Sequence, residues 1–235
     1  VKQGGEGWKA FSAAKKGKQE YISLSEQYFM PSGNALSSYK GVTALRHLDS
    51  WTQSRFLFIA PNNTTIMLKT SGDWKEYPVT GSPEVQQLLV EGPTGEFDVR
   101  TSDRSLVGLG VWLDGAKGVS VDCMSSRGYS GITLAKVSAD LCHQMGKFVN
   151  YDLVVLEFGI NAMTSTQKNY SVYANRLVEV INHVRACYPK ADILLLGIGD
   201  RGEKRGGVVK SMATAQYMVS AQRDAARRAH CLFWD

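Results

Sequence analysis

The chain has 235 residues, of which 43% are hydrophobic, and it carries a formal net charge of +5. A chain of this length and composition can bury one large core or two modest ones, which excludes a disordered protein. Its basic residues are scattered, with few aromatic residues among them, and this favours a solvated basic face over a nucleic-acid groove. No apolar run approaches the roughly 20 residues that a membrane helix needs.

The cysteines predict no metal site. All four are widely spaced, form no CxxC pair and lie in apolar surroundings, where a free cysteine behaves as a small buried hydrophobe. Together with the four histidines they show no metal-ligand spacing, so no zinc site is predicted. The cysteines are Cys123, Cys142, Cys187 and Cys231.

The first half of the chain has the pattern of β structure. Residues 1–44 are mixed and glycine-rich and predict no definite element, whereas residues 45–118 contain strand-like runs separated by turn residues. These runs are spaced about 10–15 residues apart without a helical pattern between them, which favours a β-sandwich. They cover residues 54–60, 64–70, 87–92, 95–101 and 106–114.

Residues 119–235 instead alternate between apolar runs and amphipathic segments. The run YDLVVLEFG at 151–159 is nearly continuous in its apolar character, as in a strand covered on both faces. The alternation predicts a doubly wound parallel sheet, in which ligands bind beyond the carboxyl ends of the strands. Strands are predicted at 119–125, 151–159, 191–199 and 231–234, and helices at 131–145, 170–186 and 208–229.

Two of these strand ends carry glycine and polar residues. The first, SSRGYSG, places Gly131 at the opening of a helix, where glycine allows either close approach of N–H groups to an anion or a tight turn. After the second strand, Gly159 and Asn161 offer an open N–H group and a side-chain amide, which are donors suited to an oxyanion hole. Asn161 could instead cap the next helix, although that helix is predicted to begin several residues later.

The third strand end has the sequence GIGDRG at 197–202, which matches the GxGxxG dinucleotide fingerprint. In such a fingerprint the last glycine opens a helix, and an acidic residue follows about 20 residues later. Here more glycines precede the helical pattern, and the next acidic strand end is Asp235. We therefore favour a pocket-rim loop that places Asp200 and Arg201 near a substrate, with dinucleotide binding as an alternative.

Two of these segments resemble sequence blocks of the SGNH (GDSL-like) hydrolase superfamily. RGYSGITL is similar to the second block and YDLVVLEFGINAM to the third. The resemblance implies a flavodoxin-like parallel α/β sheet and serine ester hydrolysis without a cofactor. It also implies that Gly131, through its N–H group, and Asn161, through its side chain, are oxyanion donors, with Gly159 shaping the loop. Ala162 stands where the family usually has an aspartate that is not the catalytic one.

The chain further resembles one branch of this superfamily, the exported bacterial esterases similar to peptidoglycan O-acetylesterases. In that branch a β-sandwich similar to a carbohydrate-binding module is inserted between the first and second blocks, where residues 45–118 would lie. Residues 119–235 would then be part of the hydrolase domain. The resemblance implies an acetylated glycan as substrate and a periplasmic or cell-surface location. Trp51, Trp74 and Trp112 are the aromatic residues that we expect to contact the glycan.

The family's GDS block, which supplies the serine, does not occur in the sequence, and its DxxH block, which supplies the aspartate and histidine, does not occur near the C-terminus, where the family has it. Ser50 gives the nearest match to the first block, but Leu48 stands where the family has glycine. Only His143 has the DxxH spacing, with Asp140, but it lies between the second and third blocks, and all four histidines are expected to be surface residues: His47, His143, His183 and His230. We therefore expect a piece of a longer protein, with its nucleophile and base outside these residues. A non-catalytic glycan-binding protein with a degenerate scaffold is the alternative.

Overall fold

The computed structural model describes residues 2–17, 19–42, 49–125 and 127–235. The chain divides into two compact units, Val1–Met124 and Ser125–Asp235. The first unit consists of antiparallel strands, and the second combines parallel strands with helices. This confirms the coarse prediction of a β region followed by an α/β region.

In the described part of the first unit, eight strands form one antiparallel sheet: β1 (Lys2–Ser12), β2 (Gln27–Lys40), β3 (Trp51–Ala60), β4 (Thr64–Lys69), β5 (Lys75–Val79), β6 (Ser82–Thr94), β7 (Glu96–Thr101) and β8 (Val107–Asp114). Their order is β5-β4-β7-β2-β8-β3-β6, and β1 pairs with β2. All five strands predicted between residues 54 and 114 are confirmed, as β3, β4, β6, β7 and β8.

The antiparallel sheet curls over its own core. Apolar side chains on β3 pack with those of β4 and β7, although three other strands separate β3 from β4 in the sheet. A flat sheet could not bring these strands together, so the sheet must bend round a shared interior. The core includes Phe56, Phe58, Ile66, Leu68, Phe97 and Val99.

Two of the tryptophans expected to contact a glycan lie inside this unit instead. Trp51 and Trp112 are each only 7% exposed. The indole N–H of Trp51 donates to Ser54 Oγ at 2.7 Å, and that of Trp112 donates to Asp122 Oδ2 at 2.8 Å. The expectation is therefore wrong for both, because their rings serve packing. Trp74 is half-buried beneath the guanidinium of Arg100, which lies 4.2 Å from the ring centre.

Strands β1 and β2 were not predicted from the sequence. Most residues of β1 are exposed, so it lacks the alternation of apolar and polar residues that marks a half-buried strand. A bulge interrupts its pairing with β2 at Gly7, which has φ 74° and whose added Cβ would lie 2.1 Å from the carbonyl oxygen of Asn34. The long strand β2 provides the pairing partner that the isolated sequence of β1 does not reveal.

The second unit contains, within its described residues, a three-stranded parallel sheet, a separate two-stranded hairpin and three α-helices. The parallel strands lie in the order β13-β10-β9, and the helices stand between them along the chain. None of the helices in the described ranges is long and apolar enough to cross a membrane. The elements are α1 (Ala139–Met145), β9 (Leu153–Glu157), α2 (Ser171–Cys187), β10 (Asp192–Leu196), β11 (Gly202–Arg205), β12 (Val208–Ser211), α3 (Ala215–Arg228) and β13 (Leu232–Trp234), with short 3-10 turns at Ile132–Lys136 and Ile160–Ala162.

The strand predicted at 119–125 is absent. Its residues belong to no helix or strand in the described structure, and Val119 and Val121 are 94% and 85% exposed. Alternating apolar residues suggested a strand, but a strand also needs a hydrogen-bonded neighbour, and this segment has none within the described chain. The parallel sheet accordingly has three strands where four were predicted.

Two predicted helices differ in extent. The helix at 131–145 is broken, because Val137 is extended and the hydroxyl of Ser138 caps a new helix, α1, by accepting the Leu141 N–H at 3.2 Å. The helix predicted to start at residue 208 begins only at Ala215, because Gly206 and Gly207 adopt positive φ and turn the chain into the β11–β12 hairpin. The helix at 170–186 is confirmed as α2.

Burial alternates along β9, contrary to the prediction of a strand covered on both faces. Val154 and Leu156 are buried, whereas Leu153 and Val155 are 47% and 48% exposed. The buried face continues on β10 through Ile193 and Leu195. The parallel sheet of this unit therefore buries one face more completely than the other.

Candidate functional site

The carboxyl ends of β9 and β10 lie side by side, because Glu157 pairs with Leu196 in parallel register. A buried glutamine of α3, Gln222, joins the two segments that follow these strands. Its Nε2 donates to the carbonyl oxygen of Phe158 at 2.7 Å, and its Oε1 accepts the N–H of Ile198 at 3.0 Å. The side chain is fully buried, so these bonds are shielded from competition with water.

Gly159 lies directly after β9, at a point where a side chain does not fit. Its φ is 120°, a value that favours glycine. A Cβ added there would lie 2.8 Å from Ile198 Cγ2 and 3.1 Å from Gln222 Nε2. The residue therefore lets the strand end turn while packing against the neighbouring loop and α3.

Asn161 lies in the 3-10 turn that follows, with its side chain exposed. Its Nδ2 donates a hydrogen bond to the carbonyl oxygen of Tyr129 at 2.9 Å. Because a side-chain amide carries two N–H groups, one remains to be aimed at a ligand. Asn161 does not cap a helix, because α2 begins only at Ser171.

Arg201 holds the same turn from the other side. Its Nη1 donates to the carbonyl oxygens of Ile160 at 2.5 Å and Met163 at 3.3 Å. The carbonyl of Arg201 in turn accepts the N–H of Met212 at 2.7 Å. This residue, predicted to lie near the substrate, uses Nη1 to fix the backbone on either side of Asn161.

Gly131 begins the other short turn of the site. Its φ is 85°, and an added Cβ would lie 2.7 Å from the ring of Phe158. Just before it, the Ser130 carbonyl accepts a hydrogen bond from the Tyr173 hydroxyl at 2.9 Å. Burial raises the pKa of Tyr173, so this hydroxyl keeps its proton at neutral pH. The fold thus brings the Gly131 segment against the turn that carries Asn161.

The β11–β12 hairpin begins at Gly202, the last glycine of the segment that matches the dinucleotide fingerprint. Gly202 starts a strand instead of opening a helix, and α3 begins only at Ala215. The geometry of a dinucleotide site is therefore missing. Asp200, the other predicted rim residue, is exposed at the base of the hairpin and accepts a hydrogen bond from the Ser211 hydroxyl.

The described histidines form no hydrogen bond with Asn161. The Nε2 of His143 donates to the Ala186 carbonyl at 2.8 Å, and that of His183 donates to the Val137 carbonyl at 2.7 Å. His230 is exposed just after α3. A helix that precedes a parallel strand ends at the amino edge of the sheet, opposite the edge where ligands bind. His47 lies outside the described residues, and Ser50 is exposed in the first unit.

Gln222 was missed by sequence reasoning, although the pattern of α3 contains a signal for it. The buried positions of this helix are Met218, Gln222, Ala225 and Ala226, with Gln222 as the polar member of an otherwise apolar stripe. A polar side chain on a buried helix face needs hydrogen-bond partners. Here those partners are backbone groups that follow the two strands.

The sequence matches no family model and no curated protein. Among solved structures, the chain is similar to a peptidoglycan O-acetylesterase at 14% identity and a TM-score of 0.63, covering 99% of this chain and 63% of that one. A family two carbohydrate esterase from Cellvibrio japonicus aligns at 11% identity and a TM-score of 0.31, over 99% of this chain and 88% of that one. The module CsCBM6-3 from Clostridium stercorarium, solved with cellobiose, aligns at 12% identity and a TM-score of 0.32. The alignment covers 49% of this chain and 88% of that one.

These likenesses differ in what they establish. The first, at 14% identity and a TM-score of 0.63, shows a shared fold and nothing further. The other two have TM-scores too low to support an argument. The chain spans about 63% of the length of the first structure.

Replacing Gln222 by leucine should destabilise the second unit. Gln222→Leu keeps the apolar volume but leaves the Phe158 carbonyl and the Ile198 N–H without partners, at an expected cost of about 2–4 kcal/mol in the free energy of unfolding. The matched control is Gln216→Leu, at an exposed position of the same helix. Denaturant unfolding measures both, and equal stability of the two variants would contradict the role of Gln222.

A methyl group at Gly159 should also be costly. Gly159→Ala combines an unfavourable φ with contact against Ile198, for an expected loss of about 2–4 kcal/mol. Gly199→Ala is the control, since an added Cβ there has no heavy atom within 4 Å and its φ is not in the left-handed region. We expect this control to change stability by less than about 0.5 kcal/mol. Comparable thermal unfolding of both variants would show that the strand end tolerates a side chain.

Proposed function

We propose that this chain is part of a serine ester hydrolase that removes O-acyl groups, most simply acetyl groups, from a polysaccharide. The observation that carries the proposal is the hydrogen bond from Asn161 to the Tyr129 carbonyl, which holds the side-chain amide beside the Gly131 segment. The fold shared with a peptidoglycan O-acetylesterase supports it. In this proposal the second unit is an incomplete flavodoxin-like sheet of SGNH type, and the β unit is an insertion.

In the proposed reaction, a serine hydroxyl attacks the acyl carbon while a histidine takes its proton. The carbonyl oxygen becomes an oxyanion that accepts hydrogen bonds from the free Asn161 N–H and the Gly131 backbone N–H. The sugar oxygen then leaves with the proton from histidine, and water releases the acyl group from serine. The residues of this chain supply donors whose positions are fixed before the charge develops.

The nucleophile and the general base are proposed to come from outside these 235 residues. The sequence contains no GDS and no DxxH near its C-terminus, and His143 and His183 bond to the backbone carbonyls of Ala186 and Val137. Acetylated cell-wall glycans lie outside the cytoplasm, so the proposal includes export to the periplasm or cell surface.

A non-catalytic glycan-binding protein is the second candidate function. The buried positions of Trp51 and Trp112 remove two of the three tryptophans that were expected to contact a glycan. The reading frame of the natural gene separates the two candidates at once. A GDS block within roughly 50 codons upstream and a DxxH block shortly downstream support the hydrolase, and the absence of both supports the binding protein.

Replacement of Asn161 tests the oxyanion donor. In the longest polypeptide that the natural reading frame encodes, Asn161→Ala should lower kcat for p-nitrophenyl acetate about 100- to 1,000-fold, with a much smaller change in KM, because the donor acts on the transition state. Asn150→Ala, an exposed asparagine that precedes β9, is the control. Equal kcat in Asn161→Ala and wild type would exclude Asn161 from the reaction.

The 235-residue chain alone should not turn over p-nitrophenyl acetate. Its oxyanion donors lack a paired serine and histidine, and binding alone does not open the ester. Turnover above the buffer rate that is lost in Ser50→Ala would instead identify a nucleophile in the first unit. The 235-residue chain and its Ser50→Ala variant should show the same thermal unfolding, so that loss of activity is not mistaken for loss of fold.

A further inference from the structure

Two buried cysteines of the second unit meet where α1 packs against the end of α2, and the proposed reaction uses neither of them. Cys142 lies on α1, and Cys187 is the last residue of α2. Their exposed fractions are 1% and 2%. Beside them, His143 Nε2 donates to the Ala186 carbonyl at 2.8 Å, so a hydrogen bond ties the two helices together at the level of the cysteines.

The two thiols are in contact, and a hydroxyl joins them. A hydrogen bond with Cys142 and, after it, burial raise the pKa of Cys187, so the Cys187 thiol keeps its proton and donates to Cys142 Sγ. Tyr188, the next residue, also forms a hydrogen bond with Cys142, and burial raises the pKa of this hydroxyl, which therefore acts as a donor. Two donors thus meet at one sulfur atom, and both stabilise it when it becomes a thiolate.

The contact between the sulfur atoms sets this pair apart from the other cysteines. A disulfide needs two cysteine side chains that face each other from neighbouring segments, and Cys142 and Cys187 do so already. The other two cysteines have different surroundings. Cys231 follows α3 and forms a hydrogen bond with the backbone of Leu195, and Cys123 is exposed in the first unit.

We propose that Cys142 and Cys187 form a structural disulfide when the chain folds in the presence of a disulfide oxidant such as oxidised glutathione. The Cys142 thiolate attacks one sulfur of the oxidant, which breaks its S–S bond, forms a mixed disulfide and releases a first thiolate. Cys187 then attacks the Cys142 sulfur and displaces the second thiolate. The two cysteines together lose two electrons and two protons, and the oxidant gains them as two thiols.

Burial determines when this bond forms. A thiolate is costly in an apolar layer, and a buried thiol exchanges slowly, so the folded chain reacts little with an external oxidant. While α1 and α2 approach each other during folding, the sulfur atoms still reach solvent and exchange freely. The finished bond would fix α1, which follows the Gly131 turn, to α2, whose Tyr173 hydroxyl bonds to the Ser130 carbonyl.

Refolding of the reduced and unfolded chain in a buffer of reduced and oxidised glutathione tests the proposal. Peptide mapping without reductant should recover Cys142 and Cys187 in one cross-linked peptide pair from most of the folded chains. A sample refolded with reductant instead should unfold at a temperature at least about 5 °C lower, because the bond closes a loop of about 45 residues.

Single variants identify the cysteines that are responsible. Cys142→Ala and Cys187→Ala should each abolish the cross-linked pair and the difference in unfolding temperature between the two refolding buffers. Cys231→Ala is the matched control from the same unit and should retain both. The mapping of the wild-type chain does not depend on how well any variant folds.

The proposal would be overturned by folded wild-type chains in which Cys142 and Cys187 remain thiols, or in which either is paired with another cysteine. It does not rest on the proposed hydrolysis, since no ester is involved in the test. An inactive full-length enzyme whose chain still forms the cross-link would refute the hydrolase and leave the disulfide standing.

Discussion

The site of the second unit depends on the buried amide of Gln222. Parallel strands place their carboxyl ends together, but the segments that follow have no ladder to hold them. Gln222 supplies that connection by bonding the Phe158 carbonyl and the Ile198 N–H from α3. Arg201 then fixes the turn beyond, and Asn161 reaches across to Tyr129. Each bond limits the freedom of the next, and a donor fixed in this way can stabilise charge without first reorganising.

The order of apolar and polar residues along the sequence predicted those elements whose side chains are buried alternately or along a continuous stretch. The strands β3, β4 and β6–β8 and the helix α2 follow from such patterns. β1 was missed because most of its residues are exposed, and its structure comes from pairing with β2. Residues 119–125 show the converse, since they alternate like a strand but join no sheet among the described residues. Pairing between distant segments is a tertiary property that a single sequence window does not contain.

The site was predictable only in part. The approach of Gly131 and Asn161 follows from their positions beyond strand-like segments, although the first of those segments is not a strand. Arg201 was assigned to the substrate because it is charged and lies at a strand end, and the structure adds a second task, since its Nη1 donates to two backbone carbonyls. A sequence shows that a residue can donate hydrogen bonds, but the nearest unsatisfied acceptor is decided by the packed structure.

The central claim is that Asn161 and Gly131 meet a developing oxyanion. The most direct measurement is a crystal structure of the longest natural polypeptide after reaction with diethyl p-nitrophenyl phosphate, whose phosphoryl oxygen imitates that oxyanion on the modified serine. We expect this oxygen at about 2.7–3.1 Å from Asn161 Nδ2 and from the Gly131 nitrogen. A phosphoryl group bound to other donors, with Asn161 still bonded only to Tyr129, would contradict it.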